Sequence, residues 1–348
     1  MSSRDDSDDL PVPVEDARPY LRVRPTDERL SAIIVTAAFE RLHGLHGARP
    51  SGALARFRAP PRPTIEVLVV SEGGADARID YYLGVDDATL HESMTHTLRG
   101  LFPDTYEFET VQRTAGWLRG LRDSNTPVSG VTFDGRPERR DDWQTRLTPF
   151  ETFLDDEDGH VPLAAVVETM AASELPMIYQ ALLRPLPDWS DEADTRRASI
   201  EAGQDTLGDQ LVSGVFGAPE DPAAMRSMSD RQRLDELVEK DARHSFACTA
   251  RVAVFGDESP TLEELATAFG GLSHTCYEVG ATTHTGRRGR ALFDAVCERR
   301  VETRSRWRRL RSKTNALLPR GTIPVWSVPP HRVLSPVPIG TIDLGDCS

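Results

Sequence analysis

Lysine is almost missing from this sequence: of 41 basic residues only Lys240 and Lys313 are lysine, and the rest are arginine. Acidic residues number 55, so the formal net charge is -14 at pH 7. A carboxylate-dense, lysine-poor surface stays hydrated and self-repelling where salt screens ordinary electrostatics, which points to a salt-accumulating halophile; high-GC codon bias is the plainer source of arginine over lysine. At molar salt the Debye length falls to about 3 Å, so charge recognition there has to be short and direct. Cysteine is scarce too. Cys248, Cys276, Cys297 and Cys347 make no C-x-x-C pair, which argues against a zinc framework or a disulfide scaffold and reads as three core thiols and one tail thiol. No run approaches the roughly 18–20 apolar residues that span a bilayer. The start, MSSRDDSDDLPVPVEDARP, is acidic where a secretion signal is basic and then apolar. The expectation is a cytoplasmic protein without membrane insertion.

Motifs of catalysis are missing as well. GATTHTGRRGR (280–290) has the look of a phosphate-wrapping loop, but Gly280 and Gly286 are separated by five residues and followed by Arg287 and Arg288. A P-loop separates its glycines by four and then needs a lysine for the outer phosphates and a hydroxyl for magnesium. The stretch therefore reads as a strand end and turn. HESMTH (91–96) places its histidines five apart, about 140° around a helix, where zinc ligands must share a face; two surface histidines are the simpler reading. FLDDEDGH (153–160) lacks the spacing of an EF-hand and reads as a solvated loop. There is no G-x-S-x-G elbow, and Ser213 in TLGDQLVSGVFG sits in a helical pattern. We expect no catalytic residues, no metal and no cofactor.

Hydrophobic residues make up 39% of the 348, enough for two or three packed modules. Residues 1–26 read as an acidic disordered arm. Apolar spacing from Asp27 to His43 predicts a helix, stopped at Gly44. TIEVLVV and ARIDYYLGV predict a hairpin, Asp87 caps a helix carrying Leu90, Met94, Leu98 and Leu101, and TYEFETVQ returns as a strand. Residues 27–115 are thus a helix plus a ββαβ module. A soft stretch from Gly116 to Pro127 marks a boundary. Beyond it VSGVTF, a helix from Val161 to Ala172, MIYQALLRP, FACTARVAVFG, a helix from Pro260 to Phe269 and HTCYEVGATT give β-α-β, an insertion and β-α-β. That is the order of a ferredoxin-like split βαβ module, residues 128–284, with an acidic helical insertion over about 187–243 that would cover a sheet edge or reach a partner. The fold class is α+β, with residues 285–320 an arginine-rich helical segment and 321–348 a Pro-rich tail. No short-period repeat is present, although the two modules share a β-α-β theme.

The arginine-rich segment stands out. From Arg287 to Lys313 there are eleven positive side chains (Arg287, Arg288, Arg290, Arg299, Arg300, Arg304, Arg306, Arg308, Arg309, Arg311, Lys313) against Asp294, Glu298 and Glu302, a local charge of +8. As one long helix it would carry Phe293, Val296, Cys297, Val301, Trp307 and Leu310 along a drifting apolar stripe interrupted by Arg304. Asymmetry of this kind suits a phosphate backbone or an acidic partner, and arginine makes the short bidentate contacts that survive salt. We take Arg287, Arg288, Arg290, Arg304, Arg306, Trp307, Arg308, Arg309, Arg311 and Lys313 as the candidate binding residues. The competing reading is a structural helix salt-bridged to the acidic body.

Several phrases carry a family likeness. TIEVLVVSEGGADARIDYYLGVDDATLHESMTHTLRGLFPDTYEFETVQ resembles the amino-terminal portion of haloarchaeal members of the HerA/VirB4-like DNA-translocation and conjugation ATPases. DDWQTRLTPFETFLDDEDGHVPLAAVVETM, PMIYQALLRPLPDW and ARHSFACTARVAVFG look like later parts of the same region, so the likeness runs from about Val23 to Cys297. In that family a hexameric motor follows and carries the P-loop and the Walker B acid; the 348 residues contain neither, and no catalytic residue carries over. The resemblance implies a non-catalytic accessory or scaffold protein whose partners are a motor ATPase or other DNA-transfer components, DNA, or further copies of the chain. The alternatives are a fragment of a split or truncated conjugation ATPase and a nucleic-acid-binding protein acting through its arginines.

Overall fold

Two stretches of the chain fold by one plan. The first runs β1 (Arg18–Arg24), α1 (Ala32–His43), β2 (Ile65–Ser71), β3 (Ile79–Val85), α2 (His91–Arg99), β4 (Glu107–Arg113). The second runs β5 (Val128–Pro137), α3 (Pro162–Ala172), β6 (Met177–Pro185), an insertion with α4 (Ser190–Glu201) and α5 (Met228–Glu239), β7 (Ser245–Phe255), α6 (Ser259–Thr267), β8 (Tyr277–His284). Then come α7 (Gly286–Cys297) and a short β9 (Val325–Ser327). The computed structural model describes residues 17–24, 32–47, 62–74, 78–114, 116–121, 125–139, 141–148, 162–205, 227–256, 259–301 and 325–327.

All the strands join one sheet in the order β4-β1-β3-β2-β6-β7-β5-β8, with β9 beside β7. Within each stretch that order is fourth, first, third, second, the split βαβ arrangement, and neighbours are antiparallel throughout. The α+β class and the ferredoxin-like order of the second module therefore hold. The first module is larger than its sequence pattern indicated. RPYLRVR, which falls inside the expected disordered arm, is a strand between β3 and β4, so this module is a full βαββαβ unit and the arm reading fails for residues 18–24. Its alternation, with Pro19, Leu21 and Val23 on one face and Arg18, Tyr20, Arg22 and Arg24 on the other, was masked by the acidic residues before it. Strands β2 and β6 hold the same place in their units and pair with each other, Ile65 with Leu183 through Ser71 with Met177. An antiparallel pairing of equivalent strands relates the units by a pseudo-two-fold axis.

Period-two alternation assigns each strand two faces. On one, Val67, Val69, Tyr81, Leu83, Tyr179, Ala181, Val252 and Val254 meet α1, α2, α3 and α6 through Phe39, Leu42, Met94, Leu98, Val166, Met170, Leu262 and Leu265. On the other, Leu68, Val70, Tyr82, Ile178, Ala253 and Phe255 meet α7 through Leu292, Phe293 and Val296. Every residue of β2 and of β7 is buried, because both faces of the central strands are covered. The stretch expected as a soft boundary does join the two units, between β4 and β5, and its described residues are mostly exposed, although Leu118 of the 3-10 turn Trp117–Leu121 is buried in the second layer. Of the region read as a Pro-rich tail, β9 pairs with β7 from Ser245 to Ala247.

The insertion is clasped to the turn after β5 by a buried carboxylate. Asp142 is 0% exposed and accepts from the Arg139 amide at 2.7 Å, from Arg196 of α4, and from Arg233 Nε of α5 at 3.1 Å. Arg233 also reaches Glu138 at 2.5 Å, and Arg139 reaches Asp205 at 2.8 Å and Asp230 at 2.7 Å. Gln232 and Glu236 of α5 bond Thr275 and His274, the latter at 2.6 Å, so the insertion lies against the ends of β5 and β8. A capping box starts α5, with the Asp230 amide on Ser227 Oγ at 3.1 Å and the Ser227 amide on Asp230 at 3.3 Å. Replacing Asp142 by alanine removes the one carboxylate that two buried guanidiniums share, a loss of about 3–5 kcal/mol. Urea unfolding of Asp142→Ala should show a loss of that order, and a loss under about 1 kcal/mol would mean the clasp is not what holds the insertion.

Candidate functional site

The arginine-bearing helix α7 leaves β8, an edge strand, after one residue, Thr285. The expected strand end is there, but it passes directly into a helix, with no loop long enough to wrap a phosphate chain. Gly289 lies flat on the start of β5, where a Cβ would collide with the Val128 carbonyl oxygen. That approach turns Leu292, Phe293, Val296 and Cys297 into the sheet, Phe293 edge-on to Phe255 at 5.0 Å, and turns Arg287, Arg288 and Arg290 out to solvent.

The helix ends sooner than the apolar stripe predicts. Glu298 is its C-cap, the Arg299 amide bonds Val296 O at 3.1 Å and the Arg300 amide bonds Ala295 O at 2.9 Å, a Schellman turn. The residue at its left-handed position is Arg299, with φ 51°, where glycine is usual. The expectation of one long helix is corrected to that extent: α7 ends at Cys297 and its helical hydrogen bonds stop in the turn at Arg299, while Trp307 and Leu310 lie outside the described residues.

A buried polar row holds that end. Arg251 of β7 donates to Gln180 Oε1 of β6 at 2.7 Å and to the Ala295 carbonyl at 2.6 Å. Gln180 Nε2 donates to the Val296 carbonyl at 3.0 Å and to Glu66 of β2. Glu66 accepts from Tyr20 of β1 at 2.7 Å and from Arg299 Nε at 2.5 Å, and Arg299 also donates to the Tyr20 oxygen at 2.9 Å. The Tyr20 ring crosses β3 at Gly84, where a Cβ would sit 2.6 Å from it. A cation below the last carbonyls of α7 also complements the negative end of the helix dipole. Burial, aided by the Glu66 carboxylate, raises the Tyr20 pKa, so the phenol stays a donor. Burial opposes the Arg299 charge, Glu66 and Tyr20 more than offset it, and the guanidinium ends above its ordinary pKa. Sequence patterning missed these residues because each interrupts an apolar run, Glu66 in TIEVLVV, Gln180 in MIYQALL and Arg251 in ACTARVAV. That interruption was the available signal.

The other end of α7 is uncompensated. Its first turn has no acidic residue and contains Arg287 and Arg288, with Arg290 one turn along. Among the described residues none of the three is in an ion pair, whereas Arg299 pairs with Glu66, Arg300 with Glu298, and Asp294 with Arg119 at 3.8 Å. The salt-bridged-helix reading thus applies to the carboxyl end of α7 and not to its start. His284, bonded to Thr132 at 2.9 Å, has its pKa lowered by burial, Asp134 opposing and Arg288 adding to the effect. Of the remaining candidates, Arg304, Arg306, Trp307, Arg308, Arg309, Arg311 and Lys313 lie outside the described residues, as does FLDDEDGH. The HESMTH histidines divide: His91 is buried at the start of α2 and His96 is exposed, so the reading of two surface histidines is corrected for His91. Cys248, Cys276 and Cys297 are buried and in no disulfide, and Cys347 is outside the described residues.

No helix among the described residues is long and apolar enough to cross a membrane. No family model matches the chain, and no curated protein matches it. Arg299→Gly relieves about 1 kcal/mol of left-handed strain but leaves Glu66 buried without its cation, worth about 3 kcal/mol, so it should destabilise by about 2 kcal/mol. Adding Glu66→Gln to that variant should recover at least half the loss in urea melts; no recovery would show that the pair is not what holds Arg299.

Proposed function

We propose that this chain is a non-catalytic accessory or scaffold protein of a DNA-transfer or DNA-translocation system, akin to the amino-terminal region of the HerA/VirB4-like ATPases, and that it meets the DNA backbone through the start of α7. The observation that carries the reading is the placement of Arg287, Arg288 and Arg290: exposed, without ion pairs among the described residues, and at the positive end of a helix dipole in a chain of net charge -14. Cations at that end are disfavoured by roughly 0.3–1 kcal/mol each at low salt. A local rule broken without compensation inside the fold points to a ligand that supplies it. Phosphate oxygens do so, because arginine meets them bidentately at contact distance, the only range left to electrostatics in concentrated salt. The scaffold part of the reading is supported by the continuous two-unit sheet, which holds α7 rigidly at both ends, and by the phrases that resemble the ATPase family.

The test is fluorescence anisotropy of the full chain on duplex DNA across a range of KCl concentrations. Neutralising all three arginines to glutamine should weaken binding and make the slope of log K against log salt shallower by about 2–3, near 0.9 per lost phosphate contact. An unchanged slope and affinity would remove the DNA contact. For the scaffold role, a pull-down at high salt should recover a P-loop motor ATPase; recovery of metabolic enzymes alone would sink it.

A further inference from the structure

On the side of the sheet away from α7, three side chains of metal-binding chemistry converge. Glu40 comes from α1 in the first unit, and Asp241 and His244 come from the turn that leads from α5 into β7. Their ligand atoms lie within 4.8 Å of one another. They line one cleft of ≈ 460 Å³, together with Ser190, Asp194 and Arg197. We propose that Glu40, Asp241 and His244 bind a divalent transition-metal ion of the zinc class, joining α1 of the first unit to the head of β7 in the second.

The surroundings favour a cation at the three ligands. Among the described residues the Glu40 carboxylate has no hydrogen bond or ion pair, and it stands close to a second carboxylate. Asp241 accepts from His244 Nδ1 at 2.7 Å and from the Arg243 amide at 2.8 Å. The Asp241 oxygen and His244 Nδ1 already face each other across one shared proton, and an ion that replaces that proton takes both as ligands. The ring is also held edge-on against His43, with centroids 5.4 Å apart. His43 itself is no ligand: it bonds the Leu186 carbonyl at 3.2 Å, and burial, with Arg62 and His244 beside it, pushes its pKa down to about 4. The cations of the cleft are paired with groups other than the three ligands, Arg197 with Asp194 at 2.6 Å, Arg243 toward Asp188 at 4.0 Å, and Lys240 with the Trp143 and Thr145 carbonyls at 2.5 and 2.8 Å. One imidazole with two carboxylates suits zinc, cobalt or manganese better than calcium or magnesium, which take oxygen ligands alone. The other converging group, Glu138, Asp142 and Cys276, is already neutralised by Arg233 and Arg196, which leaves no charge there for an ion.

The experiment uses tag-free full-length protein stripped with EDTA and titrated with Zn²⁺ by calorimetry and with Co²⁺ by visible absorption. One ion per chain should bind, the thermal midpoint should rise on binding, and the cobalt spectrum should lack a thiolate charge-transfer band. Glu40→Gln and His244→Ala should each weaken binding about tenfold or more while the metal-free variants melt where the metal-free parent does. Absence of saturable binding at millimolar ion would overturn the proposal. So would binding that survives both substitutions, or a thiolate band abolished by Cys276→Ala.

Discussion

The pairing of β2 with β6 is the constraint on which the molecule turns. Each βαββαβ unit leaves its second strand at an edge, and an edge strand buried on both faces, as β2 is from Ile65 to Ser71, cannot be left unpaired without stranding a row of amides and carbonyls. Joining the two edges removes that liability and makes one sheet in which four strands from each unit share a core. The same seam brings Glu66 and Gln180 side by side beneath the end of α7. Neither unit alone could assemble the polar row: Tyr20 and Glu66 belong to the first, Gln180, Arg251 and Arg299 to the second. The placement of α7 is therefore a property of the joined pair.

Arginine serves two opposite purposes in this chain. Inside, Arg233 and Arg251 are fully buried, and each spends its fork on carboxylate, amide or carbonyl oxygens at 3.1 Å or less. Buried contacts of that length are little affected by salt, since screening acts through solvent that they exclude. A lysine would offer one point charge where these sites ask for a planar fork. Outside, Arg287, Arg288 and Arg290 are exposed and have no such partners among the described residues. The lysine poverty that suggested only a salty habitat or a codon bias thus has a structural use as well: the interior geometry requires guanidinium groups.

The sequence was most informative along short runs dominated by apolar residues and along one unbroken helical period. TIEVLVV, MIYQALLRP and FACTARVAVF were legible as strands, and the helix from residue 162 to 172 was legible from Leu163, Val166, Val167 and Met170, because burial on a regular element imposes its period on the side chains. The second unit's split order followed from those elements alone. What stayed hidden depended on contacts distant in sequence. RPYLRVR has seven residues and no turn signal of its own, and only pairing with β3 and β4 makes it a strand. The end of α7 was hidden for a similar reason: Arg299 has no intrinsic preference for a left-handed backbone, and Glu66, 233 positions earlier, holds it there. The convergence of Glu40 with Asp241 and His244 is equally long-range, since nothing local marks a glutamate in FERLH as a neighbour of DARHS.

The two ends of α7 are linked mechanically, and this bears on what its arginines can do. Gly289 permits contact with β5 near one end, and the buried row fastens the other, so the helix cannot rock without breaking one of them. A guanidinium carried on a mobile tail loses much side-chain and backbone freedom when it binds, of the order of 1–2 kcal/mol for the backbone of each ordered residue. Carried on a helix fixed at both ends, it loses only side-chain freedom. Three arginines so held keep more of their contact energy as net binding than three that must be ordered on contact, which suits the start of α7 to a ligand met at short range.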